Sequence, residues 1–194
     1  MADGAPAQAR AHFQRGMAAF QAGHLPQALE AFTKALEHDP TLAAAYFNRA
    51  AILLQHSYYQ QAINDLTQAI ALQPEQGEAY FIRGNAYAEL ADFEKALDAY
   101  HQAARLSPTD SEVFYERGSL HGQMGELERA VSDLSHAIWL QPEYAFAYAN
   151  RALAYTLMDR EAMAKQDIER AVALGVERAE LEMRLREARA SLPR

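Results

Sequence analysis

The chain contains no cysteine. Disulfides, thiolate metal sites and cysteine nucleophiles are excluded together, and the absence fits a reducing compartment. Basic charge is scarce: 18 Lys and Arg stand against 26 Asp and Glu, a formal net charge of -8 in 194 residues. Phosphate backbones and anionic lipid surfaces are held by clustered cations, so neither nucleic acid nor membrane is expected as a partner. No stretch approaches the roughly 18 apolar residues of a spanning helix, and Met1 to Arg10 lacks a signal-peptide core; the expected address is the cytoplasm. A glycine-rich phosphate loop, a Gly-x-Ser-x-Gly elbow and a His-Glu-x-x-His pair are also missing, and no two of the seven histidines are four residues apart. No catalytic residue, no cofactor and no metal are therefore expected, and the chain reads as a non-enzyme.

Four of the seven prolines carry the organisation. Pro40, Pro74, Pro108 and Pro142 are each 34 residues apart. Windows of that length, with proline at slot 32, run 9–42, 43–76, 77–110, 111–144 and 145–178. Slot 8 is then Gly16, Ala50, Gly84, Gly118 and Ala152. Slot 20 is Ala28, Ala62, Ala96, Ala130 and Ala164, and slot 27 is Ala35, Ala69, Ala103, Ala137 and Ala171. Slot 24 is large throughout: Phe32, Leu66, Tyr100, Leu134 and Ile168. Slots 4, 8 and 11 lie on one helical stripe, and so do slots 20, 24 and 27. Each window therefore holds two amphipathic helices, broken at Ala22-Gly23, His56-Ser57, Ala91-Asp92, Met124-Gly125 and Met158-Asp159. The proline ends the second helix.

This pattern resembles the tetratricopeptide repeat (TPR) family: aromatic, small residue, tyrosine, alanine, large apolar residue, alanine and proline in 34 residues. The resemblance covers 9–178. It implies an all-α, right-handed solenoid of five helix-turn-helix repeats and a scaffold that binds other proteins. The ends depart from the pattern. His12 replaces the slot-4 aromatic and Ala19 the usual tyrosine in the first window. In the last window, Val176 stands where proline should, and Glu161 where its sisters carry Leu25, Tyr59, Phe93 and Leu127. Residues 179–194 are expected to form a C-terminal capping helix and tail, with Leu181, Leu185, Ala188 and Leu192 as its apolar stripe, and residues 1–8 to be disordered.

By the same resemblance, slots 2, 5, 6, 9, 12 and 13 line a concave groove that holds extended peptides. Slot 5 gives Phe13, Phe47, Phe81 and Tyr115, which serve either as side-chain pockets or as packing against the neighbouring repeat. Asn48, Asn85 and Asn150 are candidates for hydrogen bonds to a peptide backbone. Glu78, Glu89, Glu112 and Glu116 make the middle acidic and favour a ligand with Lys or Arg. A carboxylate clamp for chaperone tails does not fit, because Glu78, Glu112 and Glu116 fall where that clamp needs cations or asparagine. Slot 7 is arginine in all five windows, Arg15, Arg49, Arg83, Arg117 and Arg151. Candidate partners are Asp65, Asp133 and Asp167 at slot 23 and Glu30 and Asp98 at slot 22, so the ladder reads as register-fixing ion pairs rather than an anion site. His121, at the slot of Tyr87 and Tyr155, reads as a core replacement.

The function expected is a scaffold that holds an extended segment of a protein or peptide partner in the groove. The alternative is an assembly module, a monomer or weak homo-oligomer that self-associates through its end repeats or convex face, with Phe13, Phe20 and Leu25 as exposed candidates.

Overall fold

The computed structural model describes residues 4–190. Among these, eleven helices and no strands are found: α1 (Gly4–Gln21), α2 (Leu25–His38), α3 (Ala43–Gln55), α4 (Tyr59–Leu72), α5 (Gly77–Glu89), α6 (Phe93–Leu106), α7 (Ser111–Gln123), α8 (Leu127–Leu140), α9 (Ala145–Leu157), α10 (Glu161–Ala173) and α11 (Arg178–Ala190). They fall into two compact units, α1–α6 and α7–α11, dividing between Leu106 and Ser107. Helix α1 begins within the segment read as disordered. Ala5, Ala7, Ala9 and Ala11 are strong helix formers, and Ala9 is buried, so residues 4–8 extend the first helix. Residues 1–3 and Leu192 lie outside the described residues.

One turn recurs at every break inside a window. The residue at slot 15 sits at positive φ: Gly23 (75°), Ser57 (59°), Ala91 (56°), Gly125 (77°) and Asp159 (57°). The next amide then reaches back five residues, as in His24 to the Ala19 carbonyl and Asp92 to the Tyr87 carbonyl, both at 2.9 Å. This left-handed cap satisfies carbonyls that the helix end would leave open and reverses the chain within three residues. At the other end of each hairpin, the residues before Pro40, Pro74 and Pro142 are extended, with φ of -143°, -136° and -133° at Asp39, Gln73 and Gln141. Proline forces its predecessor out of the helix.

Inside each hairpin the helices meet through the small slots. Ala28, Ala62, Ala96 and Ala130 are fully buried, as are the large Phe32, Leu66 and Leu134. Slot 8 faces slot 24, and glycine stands there opposite the Phe32 and Tyr100 rings as well as opposite Leu134. A Cβ at Gly16 would lie 2.6 Å from the Phe32 ring, and one at Gly84 2.6 Å from the Tyr100 ring. Where slot 24 is Leu66 or Ile168, slot 8 is alanine instead, at Ala50 and Ala152. Phe13, Phe20 and Leu25, expected to be exposed, are half-buried against the cluster of Phe32, Leu36 and Ile52. Their hydrophobic area is consumed by the first hairpin and its neighbour.

The arginine ladder is real at three rungs. Arg49 meets Asp65, and Arg117 meets Asp133, each through two 2.7 Å bonds; Arg151 meets Asp167 at 2.7 and 2.8 Å. Arg49 and Arg151 also donate to Thr33 and Ser135 on the preceding hairpin, at 3.2 and 2.9 Å. Each of these two side chains thereby ties three helices together. The slot-22 acids do not serve as expected. Glu30 pairs with Lys34 at 2.5 Å, Asp98 is exposed, and the buried Nε of Arg83 has no hydrogen-bond partner. One residue along a helix is about 100° of rotation, which turns a slot-22 carboxylate to solvent.

The second unit ends with α11. Leu181 and Leu185 pack against Ala149 and Ala171. Arg189 of α11 binds Glu161 at 2.6 Å, so the residue that broke the apolar pattern forms an ion pair with the cap.

Two outcomes test this packing. Gly84→Ala is expected to cost about 1–3 kcal/mol by overpacking, and less than half of that in a Tyr100→Leu background, where the Ala50–Leu66 pairing is reproduced; a double-mutant cycle in urea reads the coupling. Ala91→Gly relieves a left-handed alanine and is expected to raise stability by about 0.5–1 kcal/mol after the glycine entropy is counted, read as a higher Tm.

Candidate functional site

The predicted groove residues lie on the first helices of the hairpins, and the structure separates them into two kinds. In the first unit most are committed to their own hairpin. Phe13 tilts against Phe32 at 5.7 Å and Phe81 against Tyr100 at 6.0 Å between ring centroids. Phe47 packs on the Ala50–Leu66 cluster. Asn85 Oδ1 accepts from the Tyr100 hydroxyl at 2.7 Å, and Asn48 Nδ2 donates to the Ala44 carbonyl one turn back at 2.7 Å. Glu78 is exposed in the first turn of α5, where a negative charge complements the helix dipole.

In the second unit the predicted residues come together. On α7, Glu112, Tyr115 and Glu116 stand on one face, one turn apart. The Tyr115 ring is tilted against that of Tyr144, with 4.7 Å between centroids. Its hydroxyl accepts from Asn150 Nδ2 at 3.3 Å, and the same amide reaches Ser119 Oγ at 2.9 Å. Asn150 Oδ1 in turn accepts from Arg184 of α11 at 3.0 Å. The Asn150 amide thus joins α7, α9 and α11 in one polar chain.

The electrostatics of this strip are unusual for a helix surface. Burial raises the Glu116 carboxyl above its ordinary pKa, and the like charge of Glu112 adds to the effect. Burial likewise raises both tyrosine hydroxyls, with Glu116 next in importance for Tyr115 and Tyr115 itself for Tyr144. On α9, Phe146 is 59% exposed. Beyond Ser119 the strip opens into a cavity of about 440 Å3, walled by α7, α8, α9 and α11 and bordered by Asn150, Gln123 and Arg184.

Sequence reasoning placed Ser119 in the groove through slot 9 but missed Tyr144 and Arg184. The signal for Arg184 was available: carried one frame further, the repeat places it at slot 6, the slot of Glu116 and Asn150. His121 is buried as expected, and its Nδ1 shares a 2.6 Å hydrogen bond with Glu126. Among the described residues, no group of three or more Asp, Glu or His side chains is placed to hold a metal ion, and no helix is long and apolar enough to cross a membrane.

Short antiparallel hairpins repeated at a fixed period, with polar and aromatic groups on their first helices, define a helical-repeat solenoid. Profiles described as tetratricopeptide repeat or TPR repeat match residues 9–42, 31–64, 84–125, 111–144 and 147–174, together well over half of the chain. The chain belongs to the tetratricopeptide repeat family. Among solved structures it is similar to a MamA at 24% identity and a TM-score of 0.80, covering 85% of this chain and 96% of that one. It is also similar to YrrB, a TPR protein with an unusual peptide-binding site, at 21% identity and a TM-score of 0.80, covering 92% of this chain and 90% of that one. MamA from Desulfovibrio magneticus RS-1 aligns at 17% identity and a TM-score of 0.80, over 86% of this chain and 94% of that one. These likenesses concern the fold. No curated protein matches the chain.

Because the folded state raises the Glu116 pKa, Glu116 favours folding most when protonated, and that contribution is lost as pH rises through the folded pKa. Glu116→Gln is therefore expected to melt above the wild type at pH 7. The gap should close as pH falls below the ordinary glutamate value; thermal melts across pH 3–8 read it.

Proposed function

We propose that this chain is a non-catalytic protein-interaction scaffold, and that an extended segment of its partner, bearing lysine or arginine, lies along the first helices. The reading is supported by membership of a scaffold family and by similarity to the fold of YrrB, which is described as having a peptide-binding site. The observation that carries it is the Glu112–Tyr115–Glu116–Tyr144 strip. Two like charges one turn apart destabilise a helix, and one of them is half-buried. A cationic side chain laid between the carboxylates and over the tyrosine rings relieves both costs. Asn150 is already satisfied by Tyr115, Ser119 and Arg184, so it orients the strip and competes less for a ligand backbone. In the first unit, Phe13, Phe47, Phe81 and Asn85 act mainly in packing under this reading.

Selection of displayed random twelve-residue peptides on the folded protein tests the proposal. The expected winners are enriched in Lys and Arg and bind Glu112→Lys/Glu116→Lys at least tenfold more weakly, a loss of about 1.4 kcal/mol or more, with helical circular dichroism unchanged. Equal binding to both proteins moves the site off α7. Failure to select any peptide, with a mass that grows with concentration in light scattering, favours the assembly role.

A further inference from the structure

The geometry points to a specific anchor: we propose that the cavity beside Gly122 receives one large aliphatic side chain, leucine or methionine, from a partner segment whose lysine or arginine sits at Glu112 and Glu116. The inference rests on the reading of the acidic strip above and adds the apolar contact which that reading lacks.

Gly122 is the observation that starts the argument. Glycine inside a helix is unfavourable relative to alanine, and at Gly16, Gly84 and Gly118 packing explains it. A Cβ at Gly118 would come within 3.0 Å of Asp133 and Leu134. At Gly122 it would meet nothing closer than the Ala130 Cβ at 3.8 Å, an ordinary contact. Its backbone is helical, with no left-handed φ to demand glycine. Neither packing nor conformation requires the residue. At the same slot the first two hairpins carry Phe20 and Leu54, both packed on their core clusters. The fold therefore accepts a large side chain at this slot, and in the α7–α8 hairpin that side chain is missing.

Gly122 lines the cavity of about 440 Å3, within the ~300–1,000 Å3 of typical ligand sites. Leu127, Leu134, Leu153 and Leu157 form its apolar wall, with no aromatic face among them. Three of its polar neighbours are joined: Arg184, Asn150 and Ser119 are hydrogen-bonded in sequence, and Asn150 continues to Tyr115, while Gln123 and the acidic Glu187 complete the polar rim. An apolar side chain seated in the cavity has its backbone against Ser119 and Asn150 and its neighbouring residues directed towards Glu116 and Glu112. The charge of that strip selects a basic flank and repels an acidic one.

The test uses fluorescein-labelled peptides with one central residue, Leu, Met or Ala, between lysines, and a Leu-centred peptide between glutamates, read by anisotropy. The Leu and Met peptides with lysine flanks are expected to bind the wild-type chain at least tenfold more tightly than the Ala peptide. Gly122→Leu is expected to abolish that preference with helical circular dichroism unchanged. If Ala binds as well as Leu, the anchor is overturned while the basic-segment reading stands. If the glutamate-flanked peptide binds as well as the lysine-flanked one, the reading of the acidic strip falls and the coupled proposal with it. No binding by any peptide overturns both. Mass that grows with concentration in the wild type but not in Gly122→Leu assigns the cavity to a second copy of this chain and overturns the proposal. Should Gly122→Leu fail to fold, methyl NMR of the wild type decides. The Leu-centred, lysine-flanked peptide is expected to shift the methyls of Leu127, Leu134, Leu153 and Leu157, and unshifted methyls overturn the anchor.

Discussion

Everything in this protein depends on how closely two antiparallel helices approach one another. In each hairpin the distance is set where slot 8 faces slot 24. A glycine admits the rings of Phe32 and Tyr100, and an alanine meets Leu66 or Ile168. Interiors are packed to crystal-like density, so the two slots are constrained jointly. Once the approach is fixed, the left-handed residue at slot 15 has one geometry that reverses the chain in three residues. The hairpin is then a rigid unit, and stacking the next one buries the face that a lone hairpin leaves open.

The arginines show how such stacking is given a register. Arg49 spans Asp65 in its own hairpin and Thr33 in the preceding one, and Arg151 repeats the device with Asp167 and Ser135. A planar fork with two carboxylate bonds leaves little room for sliding. Where slot 23 is alanine, at Ala31 and Ala99, the acid one residue earlier does not substitute, since it lies about 100° round the helix. Spacing in sequence is not proximity in space unless the helical angle is also right.

That distinction explains which parts of the structure were legible in advance. Hairpins, breaks and the capping helix follow from strict 34-residue spacing, because identical slots meet identical surroundings. By slot, Phe13, Phe81 and Asn85 are groove candidates, and each also engages a large side chain of its own hairpin, Phe32 or Tyr100. Asn150 is by slot a candidate for a bond to a peptide backbone, and its amide bonds Tyr115, Ser119 and Arg184, which come from two other helices. Hydrogen-bond partners across helices depend on side-chain reach, which a single frame of slots does not encode. Residues 4–8 show the opposite failure, where local alanine propensity outweighed the expectation of disorder.

A repeat protein solves its folding problem with the slots that recur and leaves the rest to vary. Slot 12 runs Phe20, Leu54, Ala88, Gly122 and Thr156, a range of sizes far wider than at slots 8, 20 or 27. Slot 6 runs Gln14, Asn48, Ile82, Glu116 and Asn150 with equal freedom in charge and polarity. Variation of this kind costs the scaffold little, so it is where recognition is free to differ from one hairpin to another. In the second unit the two slots depart in complementary ways: one removes a side chain and opens apolar space, the other places a half-buried carboxylate nearby. Either departure alone is a small destabilisation. A single ligand with an apolar anchor and a cationic neighbour offsets both at once, which is the physical reason for reading the two as one site.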